Sequence, residues 1–549
     1  MELIFDTYAK SQLTFVQNFA GQAAKQAYIE CLNKSNAVEI VQPLLYDIDP
    51  VVRMNAVLGL ARLAGNSKKC AKKILCADNL LKSLLGQITT ENVRMNDDSF
   101  KNKYKVPRDN KACSYLKTYK KSCMNLIRNI SKHLSCSEMI VKECDGIHAI
   151  LTCMKDLDVM VREVALQAIS SIAGQDPSIS QLIIKSGILP QIVQSLKEER
   201  HDFKLYALSA LSEIAKHNQK LAKQIVDVHT LPNVIIFLST DYNTDVKLQA
   251  NTLLLIKNIA KHSLSLTETV VETKLFPEIL LLMAHPDESI RYNSAEVVYE
   301  VVKYSTQICK MIVTTGGIVS LLNVILKSKE YPSTPAVLAL GYISSVSPLL
   351  ATAVINSKIL SGAMNILKQL TAILKSDTDE DSLKAGVAWT LEMIGQHSSK
   401  HAKSVFTCHA VNAMIDVYIN TSPTHEAHHK CKSAIKVILN KSEDFSAIEK
   451  LLTPSMPSQI MLHILIQISQ MLPKSLKARR NFIINGHLKM IQNLKPDINS
   501  HLDYVIKAVN CCFPDNILQM VAGEIPESVL RKLDKFVPNS QCLLDDQDV

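Results

Sequence analysis

IAKHNQKLAKQIVD, residues 214–227, decides the fold, because the chain nearly repeats it as IAKHSLSLTETVVE at 259–272. ISKH at 130–133 and IGQH at 394–397 echo the opening tetrad. With the isoleucine as anchor, equivalent positions fall at Ile130, Ile172, Ile214, Ile259, Val301 and Ile343, spaced by 42, 42, 45, 42 and 42 residues. Leu63, Ile394, Ile438 and Ile468 anchor further copies, so about ten units cover nearly the whole chain. A period of this length held over hundreds of residues is the mark of a solenoid.

One unit shows the grammar. SISQLIIKSG (178–187) reads as a short helix, with Gly187 suited to the left-handed position that ends helices. ILPQIVQSLKE (188–198) reads as a second, with Pro190 in its first turn, where a missing N–H costs little. HDFKLYALSALSEIAKH (201–217) is a longer third helix; its counterpart one unit earlier carries apolar residues at 161, 164, 165, 168, 169 and 172, a broad core-facing stripe. Three helices per unit predict an all-α, armadillo-repeat, right-handed superhelical solenoid. No unit buries its apolar faces alone, so stacking makes a continuous core with a groove along the third helices. We expect capping helices over 1–40, armadillo repeats over 41–455, and degenerate repeats with a cap over 456–549. Two intervals break the period: a smaller excess surrounds LKSDTDEDS (374–382), and a polar, basic stretch at about 88–118 reads as a surface loop carrying Lys101, Lys103, Lys105 and Arg108.

Composition agrees. The chain has only 15 glycines and 5% aromatic residues, too few for the many turns of sandwiches, barrels or nucleotide-binding α/β sheets. A net charge of +9 on 549 residues allows an acidic partner without demanding one, and nothing points to nucleic acid. Fourteen cysteines show no CxxC spacing and the first residues, MELIFDTYAK, no signal peptide, which reads as reduced thiols in the cytosol. YPSTPAVLALGYISSVSPLLATAVINS (331–357) is uncharged and long enough to span a bilayer, but Pro332, Pro335, Pro348 and the repeat register make it core, so no membrane partner is expected.

Catalysis finds no support. THEAHHK contains HExxH in His425, Glu426 and His429, a spacing that holds zinc on a helix. Here it follows Ser422-Pro423 at a loop-to-helix entry with no recognisable third ligand, and reads as an exposed helix start. Phosphate-cradling GxxxxGK[ST] and GxGxxG are missing, as is GxSxG, and Cys408-His409 are neighbours rather than a dyad. We expect no enzyme, no metal and no cofactor.

The groove is the remaining candidate. Import-receptor armadillo proteins present tryptophan, then asparagine four residues later, on each third helix, a ladder that binds basic peptides. The aligned pairs here are Leu58/Arg62, Asn125/Asn129, Gln167/Ser171, Ser209/Glu213, Leu254/Asn258, Glu296/Glu300, Leu338/Tyr342, Trp389/Met393 and Ser433/Val437. Only Trp389 keeps the aromatic, so the ladder reads as lost. A polar floor remains, with Asn129, Asn258, Glu213, Glu296 and Glu300, whose carboxylates would attract a basic segment.

FDTYAKSQLTFVQNFAGQAAK (5–25), the IAKH units, AWTLEMIGQHSSKHAKSV (388–405) and LPKSLKARRNFIINGHLKMIQNL (472–494) resemble the sperm-associated antigen 6 family of armadillo proteins. The resemblance implies a non-catalytic scaffold of the central apparatus of the ciliary and sperm-flagellar axoneme, in the cytoplasmic cytoskeleton. Its implied partners are tubulin and neighbouring central-apparatus proteins, with self-association possible. Tubulin's acidic surface would favour the Lys101 insertion together with Lys477, Arg479 and Arg480 of the KARR element. The alternative is a cytosolic armadillo adaptor for basic peptide segments. Glycine is replaced at the turns DVHTLP, ETKLFP and NSKILS, which marks a diverged member. His217 recurs in a slot that also holds Asn66, His133, Gln175, His262, Tyr304, Val346 and His397, a variety no metal ligand tolerates; it reads as a cap at a repeat corner.

Overall fold

The computed structural model describes every residue except 1, 48, 78, 97–109, 134–138, 144–145, 240–244, 329–332, 358–364, 377–379, 495–499, 520–530, 532, 535 and 539–549. The chain divides into two compact units, Met1–Leu275 and Phe276–Val549. Both are built from the three-helix repeat. In the unit containing the quoted stretch, Pro177–Lys185, Leu189–Ser195 and His201–Ala215 are the three helices, and Gly187 sits at φ 78° between the first two. This is the armadillo arrangement the periodicity predicts.

The long helix of each repeat forms the inner layer. In the first unit these are α1 (Glu2–Ala23), α2 (Pro50–Asn66), α3 (Asn110–His133), α4 (Val159–Ala173), α5 (His201–Ala215) and α6 (Val246–Ala260). In the second they are α7 (Glu288–Val302), α8 (Thr334–Val346), α9 (Asp381–Gly395), α10 (Glu426–Lys441) and α11 (Ser458–Met471). All ten anchor residues, from Leu63 to Ile468, are 0% exposed, so the repeat is spaced by what must be buried.

IAKHN is now legible position by position. The isoleucine is core. The lysine two residues on turns back to the floor of its own helix: Lys216 pairs with Glu213, Lys261 donates to Asn258 Oδ1 (3.1 Å), and Lys303 meets Glu300 (2.8 Å). The histidine reaches the preceding repeat. His217 Nε2–H donates to the carbonyl of Ala173 at 2.6 Å, the last residue of α4, and His262 does the same to Ala215 of α5 at 2.7 Å. His133 to Gly65 (2.8 Å) and His397 to Ser344 (2.7 Å) repeat the contact. Asn66 reaches Ala23 (3.0 Å), and Gln175 reaches Ser131. The final carbonyls of a helix lack partners of their own, and a side-chain donor from the next layer supplies one. The next residue then starts a new helix: Asn218 accepts from Leu221 N (3.0 Å) and Ser263 from Leu266 N (3.4 Å). The histidine is a cap, as its slot implies, but of the neighbouring repeat's helix. It therefore joins layers.

One expectation is corrected, on the interval 88–118. Helix Leu80–Asn96 and α3 enter the interval 88–118 from both sides, so less of it is loop than its polarity suggests; the buried apolar residues of each helix, Leu80 to Ile88 and Tyr119 to Ile130, lie at or beyond the edges of the interval. Lys101, Lys103, Lys105 and Arg108 lie outside the described residues. Within 331–357, α8 and Pro348–Asn356 are separate helices broken at the extended Ser347, and among the described residues no single helix is long and apolar enough to cross a membrane. The glycine-poor turns impose strain: His229 (φ 57°), Lys274 (φ 59°) and His409 (φ 57°) occupy left-handed positions equivalent to those of Gly187, Gly316 and Gly486.

Candidate functional site

The groove floor is mostly occupied by the chain's own contacts. Asn129 Nδ2 donates to the carbonyl of Ala61 on α2 (2.8 Å), and Asn258 Nδ2 to Ser212 Oγ on α5 (2.9 Å). Arg62, in the same register, donates to Ala20 O on α1 (2.8 Å). These residues tie adjacent long helices together. Among the carboxylates, Glu213 and Glu300 carry their lysines, and Glu296 accepts from Tyr292 OH (3.1 Å). Burial, with Glu296 beside it, pushes the Tyr292 phenol up to about 12, so it stays a donor. The acidic floor expected to draw a basic segment is thus largely neutralised from within, because the lysine of the tetrad lies one helical turn away.

Aromatics, by contrast, come together. Trp389 on α9 meets Tyr342 on α8 edge-on, ring centres 4.9 Å apart, and Tyr342 lies 5.9 Å from Tyr299 on α7. Lys303 Nζ stands 3.8 Å from the centre of the Tyr299 ring, over its face. A Cβ at Gly341 would collide with the Trp389 ring, so glycine there lets the indole lie across α8. A cavity of about 330 Å³ opens beside this row, between α7, α8, α9 and the start of α10, with Thr334, Leu338, Gly386, Glu426 and Lys430 on its walls. The ladder read as lost is partly rebuilt from tyrosines. Fixed-register alignment missed Tyr299, one residue from the Glu300 slot, and it assigned Tyr342 to the asparagine position; helix curvature and side-chain length absorb that offset.

The HExxH residues serve helix entry. Asp381 of α9 accepts from the backbone N–H of Glu426 (2.8 Å) and of Ala427 (3.0 Å), and its carboxylate lies 3.5 Å from His425 Nδ1. His428 stacks on Tyr418, centres 4.0 Å apart. Among the described residues no group of three His, Cys, Asp or Glu is placed to hold a metal ion. Burial raises the Cys153, Cys431 and Cys512 thiols to about 12 and Cys309 to about 11, which keeps them protonated. Cys408 is raised too, for the same reason.

The KARR element does not present a uniform basic surface. In helix Leu476–Ile484, Arg479 is buried and donates to Phe536 O (3.0 Å), while Arg480 Nε meets Asp534 Oδ1 at 2.9 Å. The two arginines tie Phe536 and Asp534 to this helix. Lys477 alone of the three is exposed, on the rim of a cavity of about 480 Å³ where Lys403 and Asp444 pair at 3.5 Å.

Stacked three-helix repeats, an internally knitted groove floor and an aromatic row define an armadillo-repeat protein, a fold typical of non-enzymatic binding scaffolds. A crystal structure of an engineered protein superposes with a TM-score of 0.64 at 19% identity, covering 78% of this chain and 95% of that one, and shows the same fold. No family model matches the sequence. Human sperm-associated antigen 6 is 34% identical over 170 residues, 31% of this chain and 33% of that protein. The mouse protein is 32% identical over 167 residues, 30% of this chain and 33% of its own length. The chain is thus similar to sperm-associated antigen 6 as a diverged relative, and the match spans about a third of the length of these curated relatives.

Proposed function

We propose that this chain is a non-catalytic scaffold of the ciliary and sperm-flagellar axoneme, set in its central apparatus and contacting microtubules and neighbouring axonemal proteins. The observation that carries the reading is the similarity to sperm-associated antigen 6 over 170 residues. The layer-to-layer contacts support it physically. Side-chain donors at successive repeat corners and on the groove floor resist sliding of one repeat on the next, and a stack that keeps its shape suits a lattice of many weak contacts. The adaptor alternative leans on Glu213, Glu296 and Glu300, and loses ground because two of these are paired within the chain. Of the KARR residues, Lys477 is the one free to meet an acidic surface such as that of tubulin; Arg479 and Arg480 are engaged.

Fractionation of spermatids or motile ciliated cells expressing the tagged chain tests this. The protein should stay with detergent-extracted axonemes and label their centre in electron micrographs. Recovery in the soluble fraction alone rejects the scaffold reading.

A further inference from the structure

A cleft of about 480 Å³ runs across the starts of three helices of successive repeats, Ser399–Thr407, Phe445–Glu449 and Leu476–Ile484. Lys400, Lys403 and Lys477 stand on its walls, all exposed. Lys400 and Lys477 have no carboxylate partner among the described residues. Lys403 shares its charge with Asp444 at 3.5 Å, and Asp444 also caps its own helix, accepting from Ala447 N–H at 3.3 Å. Glu443 is the other carboxylate on the wall, so the lining carries a net positive charge at neutral pH. Part of the lining is apolar. Phe445, edge-on to Phe482 with ring centres 6.2 Å apart, forms a patch there with Ala478.

We propose that this cleft is the docking site of the chain's own acidic segment LLDDQD, residues 543–548, which lies outside the described residues. Charge is the first reason. Asp545, Asp546 and Asp548 match the three lysines, and 539–549 contains no lysine or arginine. Leu543 and Leu544, just before the aspartates, suit the patch of Phe445 and Ala478. Reach is the second reason. The chain leading to the segment is tied to the helix that carries Lys477, through Arg479 to Phe536 O (3.0 Å) and Arg480 to Asp534 Oδ1 (2.9 Å). Arg479 and Lys477 lie on nearly opposite faces of a helix about 10–12 Å across. Asp545 is seven residues beyond Pro538, and seven extended residues span up to about 25 Å, enough to round the helix. Tethering raises the local concentration of the segment to about the millimolar range, so it outcompetes an untethered acidic segment of equal affinity. The docking holds Lys477 back from an acidic partner until that partner displaces it, and it does so whether or not the chain sits in an axoneme.

Carbodiimide coupling of the full-length protein, which joins a carboxylate to an amine only where the two touch, reads the contact directly. Mass spectrometry should find Asp545, Asp546 or Asp548 joined to Lys400, Lys403 or Lys477. Coupling to Lys403 should fall about ten-fold in the double variant Lys400→Gln, Lys477→Gln, with the helical circular dichroism unchanged, and should fall likewise at high salt. The second measurement is competition. A fluorescein-labelled LLDDQD peptide, followed by anisotropy, should bind the triple variant Asp545→Asn, Asp546→Asn, Asp548→Asn at least about ten-fold more tightly than the unaltered chain, because the tethered copy no longer competes. Adding Lys400→Gln and Lys477→Gln to the triple variant should remove that binding. Equal affinity for the unaltered chain and the triple variant overturns the proposal, because the cleft is then open to untethered acidic segments. So does the lack of saturable binding to the triple variant, or coupling of the aspartates only to lysines outside the cleft. None of these outcomes bears on where the protein sits in the cell, which fractionation decides separately.

Discussion

At the scale of the residue, His217 shows how one side chain does two things the periodicity links. It ends its own repeat and closes the last carbonyl of the one before, at Ala173. A hydrogen bond of this kind contributes about 1 kcal/mol, and Ser180 Oγ, which donates to the same carbonyl at 2.8 Å, keeps that oxygen from being orphaned when the imidazole is removed. His217→Ala should therefore destabilise the first unit by about 1 kcal/mol in urea titration, while His217→Gln, which keeps a donor as Gln175 does, recovers most of it. Two other residues are placed at a cost. His229 and Lys274 hold left-handed φ values of 57° and 59°, where a Cβ crowds the following carbonyl. His229→Gly and Lys274→Gly should each stabilise by about 0.5–1 kcal/mol, net of the greater freedom glycine has when unfolded, read as a rise in denaturation midpoint.

At the scale of the element, most helix starts are capped by the residue just before them, as Asn218 and Ser263 show, but some helix ends are anchored by a neighbouring segment. The start of α10 is capped by Asp381 of α9, and the helix Leu476–Ile484 is tied to Phe536 and Asp534 by Arg479 and Arg480. On α11, His463 is 9% exposed, and burial, aided by Lys436 and Lys432 of α10, depresses its imidazole from 6.5 to about 4. The sign follows from proton binding. Between pH 6.5 and 4 the unfolded chain takes up a proton that the folded chain refuses, so stability falls as pH falls through this window. Between pH 6.5 and 5 the loss is about 1.5 kcal/mol for this one group. His463→Leu should flatten that part of the profile for the second unit; an unchanged acid slope counts against the assignment.

At the scale of the molecule, stability in a repeat stack is a sum of repeat terms and nearest-neighbour terms. Removing a corner donor should then act locally. In hydrogen exchange, His217→Ala should speed exchange in α4, α5 and the helices beside them while leaving the second unit unaffected, and His397→Ala should act around α8 and α9. Uniform acceleration across both units would mean a cooperativity beyond nearest neighbours.

Much of this architecture was legible in the chain itself. Burial demands a fixed apolar period, so the anchors Leu63 to Ile468 expose the repeat, and Gly187 with Pro190 mark where one helix stops and the next starts. Even the histidine slot declared itself as a corner, because the residues that fill it are mostly hydrogen-bond donors. What the tertiary structure alone decided is where those donors go. The carbonyl that His217 closes lies 44 residues back, Glu300 is neutralised one turn along its own helix, and Arg479 faces inward while Lys477 faces out. Tyr299, Tyr342 and Trp389 are 43 and 47 residues apart in sequence and within ring contact in space. Burial periodicity is a property of one helix, written along the chain. Pairing of polar and aromatic side chains across layers depends on the rise and rotation from one repeat to the next, which no single repeat encodes.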